Sequence, residues 1–410
     1  MILRLLYIDP GTGSALFSIL IGAAATLYFL GRALIIKLKV VMSGGKISSS
    51  SMQPNPYVIY CEGKQYCNVF RPVLAESEKR EIPLLYLTSS PDDPLMGDLY
   101  KHVKCEFIGE GNKAFSRLNM LNAGVALMTT PGLDVYQLKR SKGVKHYSHV
   151  LHAPSDATMY KLFGIDYFDS ILLSGDYQAN DIRFLERLRN IKEKQLVTVG
   201  CTYLDVFEQK IRNIQIESGH SFTVLISPSW GASGILSRFG EKLLDPLVNS
   251  GLHIIVRPHP QSKKSEPVIL EKLEHKYKDN PNIEWDYESE NIYSLSRSDI
   301  MISDFSGIIY DYAFLFDKPV MYVKQGFDLR PYDADDLGED ASEKLWQFRT
   351  LKEIGLELKE EDFPNIAEII KNASDSEALR TARKLAKDTA WQHRGEAGKR
   401  IADFMIGINQ

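Results

Sequence analysis

Three groups of residues have the types and spacing to do chemistry. Ser303, Asp304, Ser306 and Gly307 follow a short apolar run at 300–302 and open a helical pattern that continues to Phe316. Small, hydroxyl-bearing residues at a helix start leave backbone N–H groups uncovered, and the macrodipole favours an anion there. The stretch reads as a phosphate seat; the competing reading is a plain turn in which Ser303 or Asp304 caps the helix. Arg257 and His259 lie in the run RPHP at the carboxyl end of a second apolar segment, 252–256. Ligands of open α/β sheets gather at such ends, an arginine there can bind phosphate, and a histidine can bind phosphate or move a proton. The third group is His152, at the end of the apparent strand 146–152 with Ser155 close behind. His146 and His149 are the alternatives, and a hydrogen-bonded structural histidine is a competing reading for all three.

These residues need elements to hold them, and the chain supplies an alternation. Apolar runs at 57–61, 83–87, 105–108, 125–129, 146–152, 170–173 and 196–199 alternate with helical patterns at 68–80, 114–121 and 181–189. A second series follows: strands at 223–226, 252–256, 283–285, 300–302 and 319–323, with helices at 235–248, 267–277 and 292–297. Strand and helix in alternation argue parallel sheets with helices on both faces. The predicted fold class is therefore α/β, with two Rossmann-like domains facing a cleft. Gly63 follows the first strand, but EGKQYCNVF is not a GxGxxG fingerprint, so a dinucleotide site gets little weight. From 351 onward the pattern is helical, and 377–408 is long enough to cross back over the first domain. No short repeat is present.

At 410 residues the chain exceeds what one core usually serves. The expected organisation is an anchor at 1–42, a linker at 43–56, a first domain at 57–218, a second at 219–376, and terminal helices at 377–410, with the hinge at 217–221. Residues 14–31 carry no charge, long enough to cross a bilayer, and apolar side chains flank them. The run is longer than a typical signal-peptide core and has no clear small-x-small cleavage site. Arg32, Lys37, Lys39 and Lys46 follow it while only Arg4 precedes it. The positive-inside rule then predicts a single-pass membrane protein with its large domain in the cytoplasm. Residues 44–55, rich in Gly and Ser, read as a flexible linker.

A formal net charge of −4 argues against a nucleic-acid binder. Cys61, Cys67, Cys105 and Cys201 form no CxxC pair or metal spacing, and read as reduced, mostly buried thiols. Asp328, Asp333, Asp335, Asp336, Glu339 and Asp340 make residues 326–343 acidic; a solvated loop is favoured over a metal site.

The runs RPHP (257–260), SPSWG (227–231) and SDFSGIIYDYAFLFDKP (303–319) resemble the CDP-glycerol glycerophosphotransferase family of teichoic acid polymerases and primases. That family is similar in fold to the two-domain GT-B glycosyltransferases, and the resemblance spans roughly 57–323. It implies transfer of glycerol phosphate, or a related polyol phosphate, from a CDP-linked donor to a lipid-linked or polymer acceptor, with no cofactor. Relatives often carry a second serine where this chain has Gly307, so a phosphate contact there would come from the backbone. The resemblance makes His152 the best match to an active-site histidine followed by a small residue, brings Ser229 into the donor site, and favours Asp311 as a contact to ribose hydroxyls. A place on the helix surface is the other reading for Asp311.

Such a transfer needs a diphosphate cradle, a group to neutralise the leaving phosphate, and a base for the acceptor hydroxyl. Ser303, Ser306 and the Gly307 N–H are the candidates for the first, Arg257 or His259 for the second, and His152 for the third; Asp304 is expected to cap the turn. No DxD-like motif stands at a strand end of the first domain, so no metal is required. The alternatives are a GT-B glycosyltransferase using a nucleotide sugar, and a non-catalytic relative that binds a nucleotide or polymer.

Overall fold

The computed structural model describes residues 55–409 except 98–99, 215–220, 289 and 324–344. The predicted anchor at 1–42, nearly all of the linker, the hinge up to residue 220 and the acidic segment 326–343 lie outside the described residues. Among the described residues no helix is long and apolar enough to cross a membrane.

The first sheet is built from β1 (Asn55–Cys61), β2 (Leu84–Thr88), β3 (Val103–Phe107), β4 (Asn122–Met128), β5 (Gly143–Val150), β6 (Ser170–Leu173) and β7 (Gln195–Thr198), in the order β3-β2-β1-β4-β5-β6-β7. The second uses β8 (Thr223–Ile226), β9 (His253–Val256), β10 (Ile283–Trp285), β11 (Ile300–Ser303), β12 (Val320–Val323) and β13 (Gly355–Leu358), in the order β10-β9-β8-β11-β12-β13. Every pairing is parallel. Parallel strands are covered on both faces and therefore read as continuous apolar runs. Alternate side chains of β1 show it: Val58 and Tyr60 enter one core, Ile59 and Cys61 the other. The second sheet likewise sends Val224 and Ile226 to one core and Leu225 to another.

The helices used below are α1 (Cys67–Lys79), α2 (Thr202–Ile211), α3 (Ile308–Phe316), α4 (Trp346–Ile354), α5 (Glu377–Ala390) and α6 (Ala397–Asn409). α5 packs on α3 and α4 of the second domain, whereas α6 packs on α1 and β4 of the first. Their close approach is visible at Gly398, where a Cβ would lie 2.5 Å from Pro72 Cβ. The segment between them is pinned by the buried Asp205 of α2. Its carboxylate accepts from Trp391 Nε1 at 2.9 Å, Gly395 N at 2.8 Å and Ala397 N at 3.2 Å.

Three local expectations change. The helix expected over 235–248 breaks into Ile235–Arg238 and Glu241–Asn249, because Gly240 adopts φ +39° between them. The terminal helical segment divides in two, with positive φ at His393 and Gly395. A strand unread in the sequence, β13, pairs with β12 at the sheet edge.

Candidate functional site

In each sheet the chain first winds to one side and then restarts beside the first strand. The restarts fall between β1 and β4 and between β8 and β11. Loops at the carboxyl ends of such adjacent strands diverge and leave a crevice. A cleft of about 750 Å³ occupies this position, with one wall from each domain. Lys64, Gln65 and Asn68 after β1, with Asp92 after β2, face Ser227 and Pro228 after β8, Arg257 to Pro260 after β9, and Ser306 and Gly307 after β11. Tyr203 and Phe207 of α2 and Glu290 and Asn291 complete the lining.

The phosphate-seat residues separate by facing. Ser306 and the exposed Gly307 open into the cleft at the start of α3, whose N-terminus has no side-chain cap. Ser303 does not: it is the last residue of β11, fully buried, and its hydroxyl donates to Ser227 O at 2.5 Å. It ties two strand ends together instead of cradling a diphosphate. Asp304 is also fully buried, but it does more than cap its own turn. It accepts from Ser229 N at 2.9 Å, Ser229 Oγ at 2.7 Å, Ile235 N at 3.1 Å, Phe305 N at 2.7 Å and Ser306 N at 3.2 Å. Burial pushes this carboxyl upward, and the Ser229 bonds lead those that oppose it. Ser229 is thereby committed to Asp304 and stands behind the lining, outside any direct donor contact in this structure.

Arg257 lines the cleft with its guanidinium already engaged. It bonds Asp286 Oδ2 at 2.5 Å and Glu288 O at 2.7 Å, so its charge is shared with the loop after β10. His259 is half-buried and accepts from Gln261 N at 3.1 Å through Nδ1. A backbone N–H can only donate, so neutral His259 carries its proton on Nε2. Burial lowers its pKa, with Glu266 opposing.

Asp311 is half-buried on α3 and does not line the cleft. It sits between α3 and α2 and accepts from the Tyr203 hydroxyl at 2.9 Å. Burial pushes it up to about 7, against that hydrogen bond. The group nearest the cleft is the Tyr203 ring, which packs on Phe207 at 4.5 Å.

His152 follows β5 and does not line the cleft. Its imidazole meets the Tyr66 ring edge-on at 5.1 Å, and Nδ1 is 3.3 Å from both Thr129 Oγ1 and the Tyr160 hydroxyl. Burial lowers its pKa to about 4, so the ring is neutral at physiological pH. The alternatives are embedded: His146 Nε2 bonds Ser170 Oγ at 3.0 Å, and His149 is fully buried against Tyr160 and Phe168. The lining residues that sequence reasoning missed, Lys64 and Gln65 in the turn after β1, Asn68 in the first turn of α1 and Asp92 after β2, belong to no motif. Only their positions after β1 and β2, next to a restart of the sheet, could have marked them. Three of the cysteines are buried, Cys105 is partly so, and all four are free.

Residues 168–339 match the family described as CDP-Glycerol:Poly(glycerophosphate) glycerophosphotransferase. No curated protein matches the chain by sequence. Among solved structures, the wall teichoic acid polymerase TagF, in a His-to-Asn form soaked with CDPG, is 14% identical with a TM-score of 0.55. That alignment covers 94% of this chain and 96% of TagF. The UDP-GlcNAc 2-epimerase of Methanocaldococcus jannaschii, in complex with UDP-GlcNAc and UDP, is also 14% identical at TM-score 0.55, covering 86% of this chain and 99% of the epimerase. A similar relation holds to a UDP-N-acetylglucosamine 2-epimerase from Listeria monocytogenes, at 14% identity and TM-score 0.54, covering 85% of this chain and 94% of that one. These likenesses establish the two-sheet fold. Residues 168–339, which hold RPHP and SDFSG, carry the likeness to that family, and it is this segment that marks the chain as a glycerophosphotransferase-like transferase.

Proposed function

We propose that the chain transfers glycerol phosphate, or a related polyol phosphate, from a CDP-linked donor to a hydroxyl of a lipid-linked or polymer acceptor in cell-surface polymer synthesis. The observation that carries this reading is the uncapped start of α3, with Ser306 and Gly307 opening into the cleft that Arg257 and His259 also line. The donor diphosphate lies against the Ser306 hydroxyl and the N–H groups of the first turn. His259 Nε2–H and Arg257 offset the charge that grows on the leaving nucleotide. The acceptor oxygen attacks the phosphorus bearing glycerol, a new P–O bond forms, and the bond to the CMP oxygen breaks with its electron pair leaving on CMP. The acceptor proton passes to Nε2 of His152, whose Nδ1–H is then donated to Thr129 or Tyr160. No step calls for a metal.

The test is a thermal-shift panel with CDP-glycerol, UDP-GlcNAc, CMP and UDP, followed by transfer assays with the donor that stabilises. CDP-glycerol should raise the melting temperature more than UDP-GlcNAc does. The reverse order would favour the nucleotide-sugar reading, which the likeness to UDP-GlcNAc epimerases keeps as the second choice. Stabilisation by a nucleotide without transfer or hydrolysis would leave a binding module. The anchor at 14–31, with the folded domain on the cytoplasmic side, belongs to the same proposal. The full-length protein should stay with membranes through a high-salt wash, and release by salt alone would end that part.

A further inference from the structure

The first sheet has its own restart between β1 and β4, and a second pocket, of about 360 Å³, lies at that carboxyl edge. Glu62, the first residue after β1, lines this pocket, whereas Lys64 and Gln65 of the same turn line the donor cleft. After β4 the division repeats. Thr129 Oγ1 reaches His152 Nδ1 at 3.3 Å, and the next residue, Thr130, faces the pocket. His152 meets Tyr66 of the β1 turn edge-on; it lines neither space, but the two residues it touches, Tyr66 and Thr129, each stand next in sequence to a residue that lines one of them.

The pocket has the makeup of a ligand site, with an apolar body and a few polar groups. Phe115, Leu162 and the exposed Tyr136 supply ring and aliphatic faces. Glu62 can accept hydrogen bonds from hydroxyls, and Lys161 can attract a phosphate. Thr130 Oγ1 is the independent sign. The residue is only 5% exposed, and its hydroxyl has no hydrogen-bond partner among the described residues. A buried hydroxyl left unbonded costs free energy that a bound polar group would recover.

We infer that this pocket seats the acceptor: a phosphorylated polyol end, with its hydroxyls toward Thr130 and Glu62, its phosphate toward Lys161 and its carbon skeleton on Tyr136 and Phe115. The inference rests on the transferase reading above and adds the direction of approach. The donor enters from the cleft and the acceptor from this pocket, and His152, held by the turns behind both, takes the acceptor proton.

Octyl glycerol phosphate serves as the acceptor probe, with the full chain in detergent. Leu162→Trp fills the pocket from an exposed position, Thr130→Val removes the hydroxyl at nearly constant volume, and Lys161→Ala removes the cation. Leu162→Trp should raise the KM for the probe at least tenfold and the other two should raise it several-fold. All three should keep the wild-type affinity for CDP-glycerol by calorimetry and the wild-type melting temperature. Direct probe binding, measured with CDP present and no turnover, should weaken in parallel. Wild-type protein that binds CDP-glycerol but not the probe overturns the inference, as do three variants with unchanged probe KM. Loss of CDP-glycerol affinity in Leu162→Trp also overturns it, by showing that the two spaces are one donor site. Failure of the wild type to bind CDP-glycerol at all strikes the donor reading instead, and probe binding to the nucleotide-free protein then judges the pocket alone.

Discussion

His152 and His259 both follow the carboxyl end of a parallel strand, yet their ring nitrogens meet different partners. The Nδ1 of His259 faces a backbone N–H, which can only donate, so the neutral ring offers N–H from Nε2. The Nδ1 of His152 faces two hydroxyls, which can donate or accept, so the tautomer protonated at Nδ1 is satisfied there and leaves the Nε2 lone pair open. Burial then holds His152 neutral down to about pH 4. In the proposed mechanism one ring hydrogen-bonds an anion and the other takes a proton. A shared residue type at a shared kind of position is thus divided by one neighbouring atom.

The largest expected effect breaks this comparison directly. His152→Ala should slow transfer by roughly 10² to 10⁴, the usual contribution of a positioned base, while leaving CDP-glycerol affinity intact. His259→Ala should chiefly weaken donor binding. The sign of the pH dependence follows from the lowered pKa: the base is active when deprotonated, so kcat/KM should fall as pH drops through about 4 and stay level up to neutrality. Normal turnover in His152→Ala would leave it a structural histidine beneath Tyr66.

Next in size is a change in the scaffold behind the second-domain wall. Asp304→Ala leaves the donors from Ser229, Ile235, Phe305 and Ser306 without their buried acceptor. Stranding buried donors costs about 1–3 kcal/mol each before relaxation, so a net loss of roughly 2–4 kcal/mol is expected, within the range of the more damaging single mutations. Denaturant melts would show it. Asp304→Asn should be nearly as harmful, since its amide N–H2 would face donors. A variant of wild-type stability with lost donor affinity would instead put Asp304 in contact with substrate.

Ser303 and Ser306 sharpen what the sequence could and could not reveal. The runs at 170–173 and 223–226 coincide with β6 and β8, because strands buried along their whole length read as short, nearly continuous apolar runs. The parallel two-sheet architecture was legible for the same reason. The four-residue edge strand β13 was not, since Gly355-Leu-Glu-Leu is too short to separate from the helix before it. At the site, the sequence shows hydroxyls gathered around a strand end but not their facing. Whether a serine points into a neighbouring loop or a cleft depends on where the strand stops pairing. β11 continues through Ser303, which places Ser303 inside and Ser306 outside.

That division predicts unequal sensitivity. Ser306→Leu should lower CDP-glycerol affinity by about one to two decades, the worth of a charge-assisted hydrogen bond of roughly 1.5–3 kcal/mol, with little change in melting temperature. Ser303→Ala should do the opposite, lowering stability by about 1 kcal/mol, as expected for a lost hydrogen bond to a buried carbonyl, and sparing affinity. Equal affinity losses would return Ser303 to the phosphate seat. A lowered melting temperature with unchanged affinity in Ser306→Leu would support the capping reading.

The smallest expected effect is a gain. Gly307 adopts φ −59°, an ordinary helical value, and a Cβ there would meet no atom within 4 Å. A side chain therefore costs neither backbone strain nor displacement of a neighbour. Gly307→Ser should fold as well as the parent, because serine serves the first turn of a helix at least as well as glycine. Its added hydroxyl would open into the same space as Ser306. If the donor diphosphate rests on this turn, the variant adds one more donor to an anion and should tighten CDP-glycerol binding by roughly two- to tenfold, up to about 1.4 kcal/mol. The comparison with Ser306→Leu supplies the sign: one change removes a hydroxyl from the seat and the other adds one, so their effects on affinity must be opposite. Calorimetric titration of both variants with CDP-glycerol decides it. Weaker binding in both would mean that the space in front of Gly307 is filled by the acceptor or by the glycerol moiety, and would move the diphosphate toward Arg257 and His259.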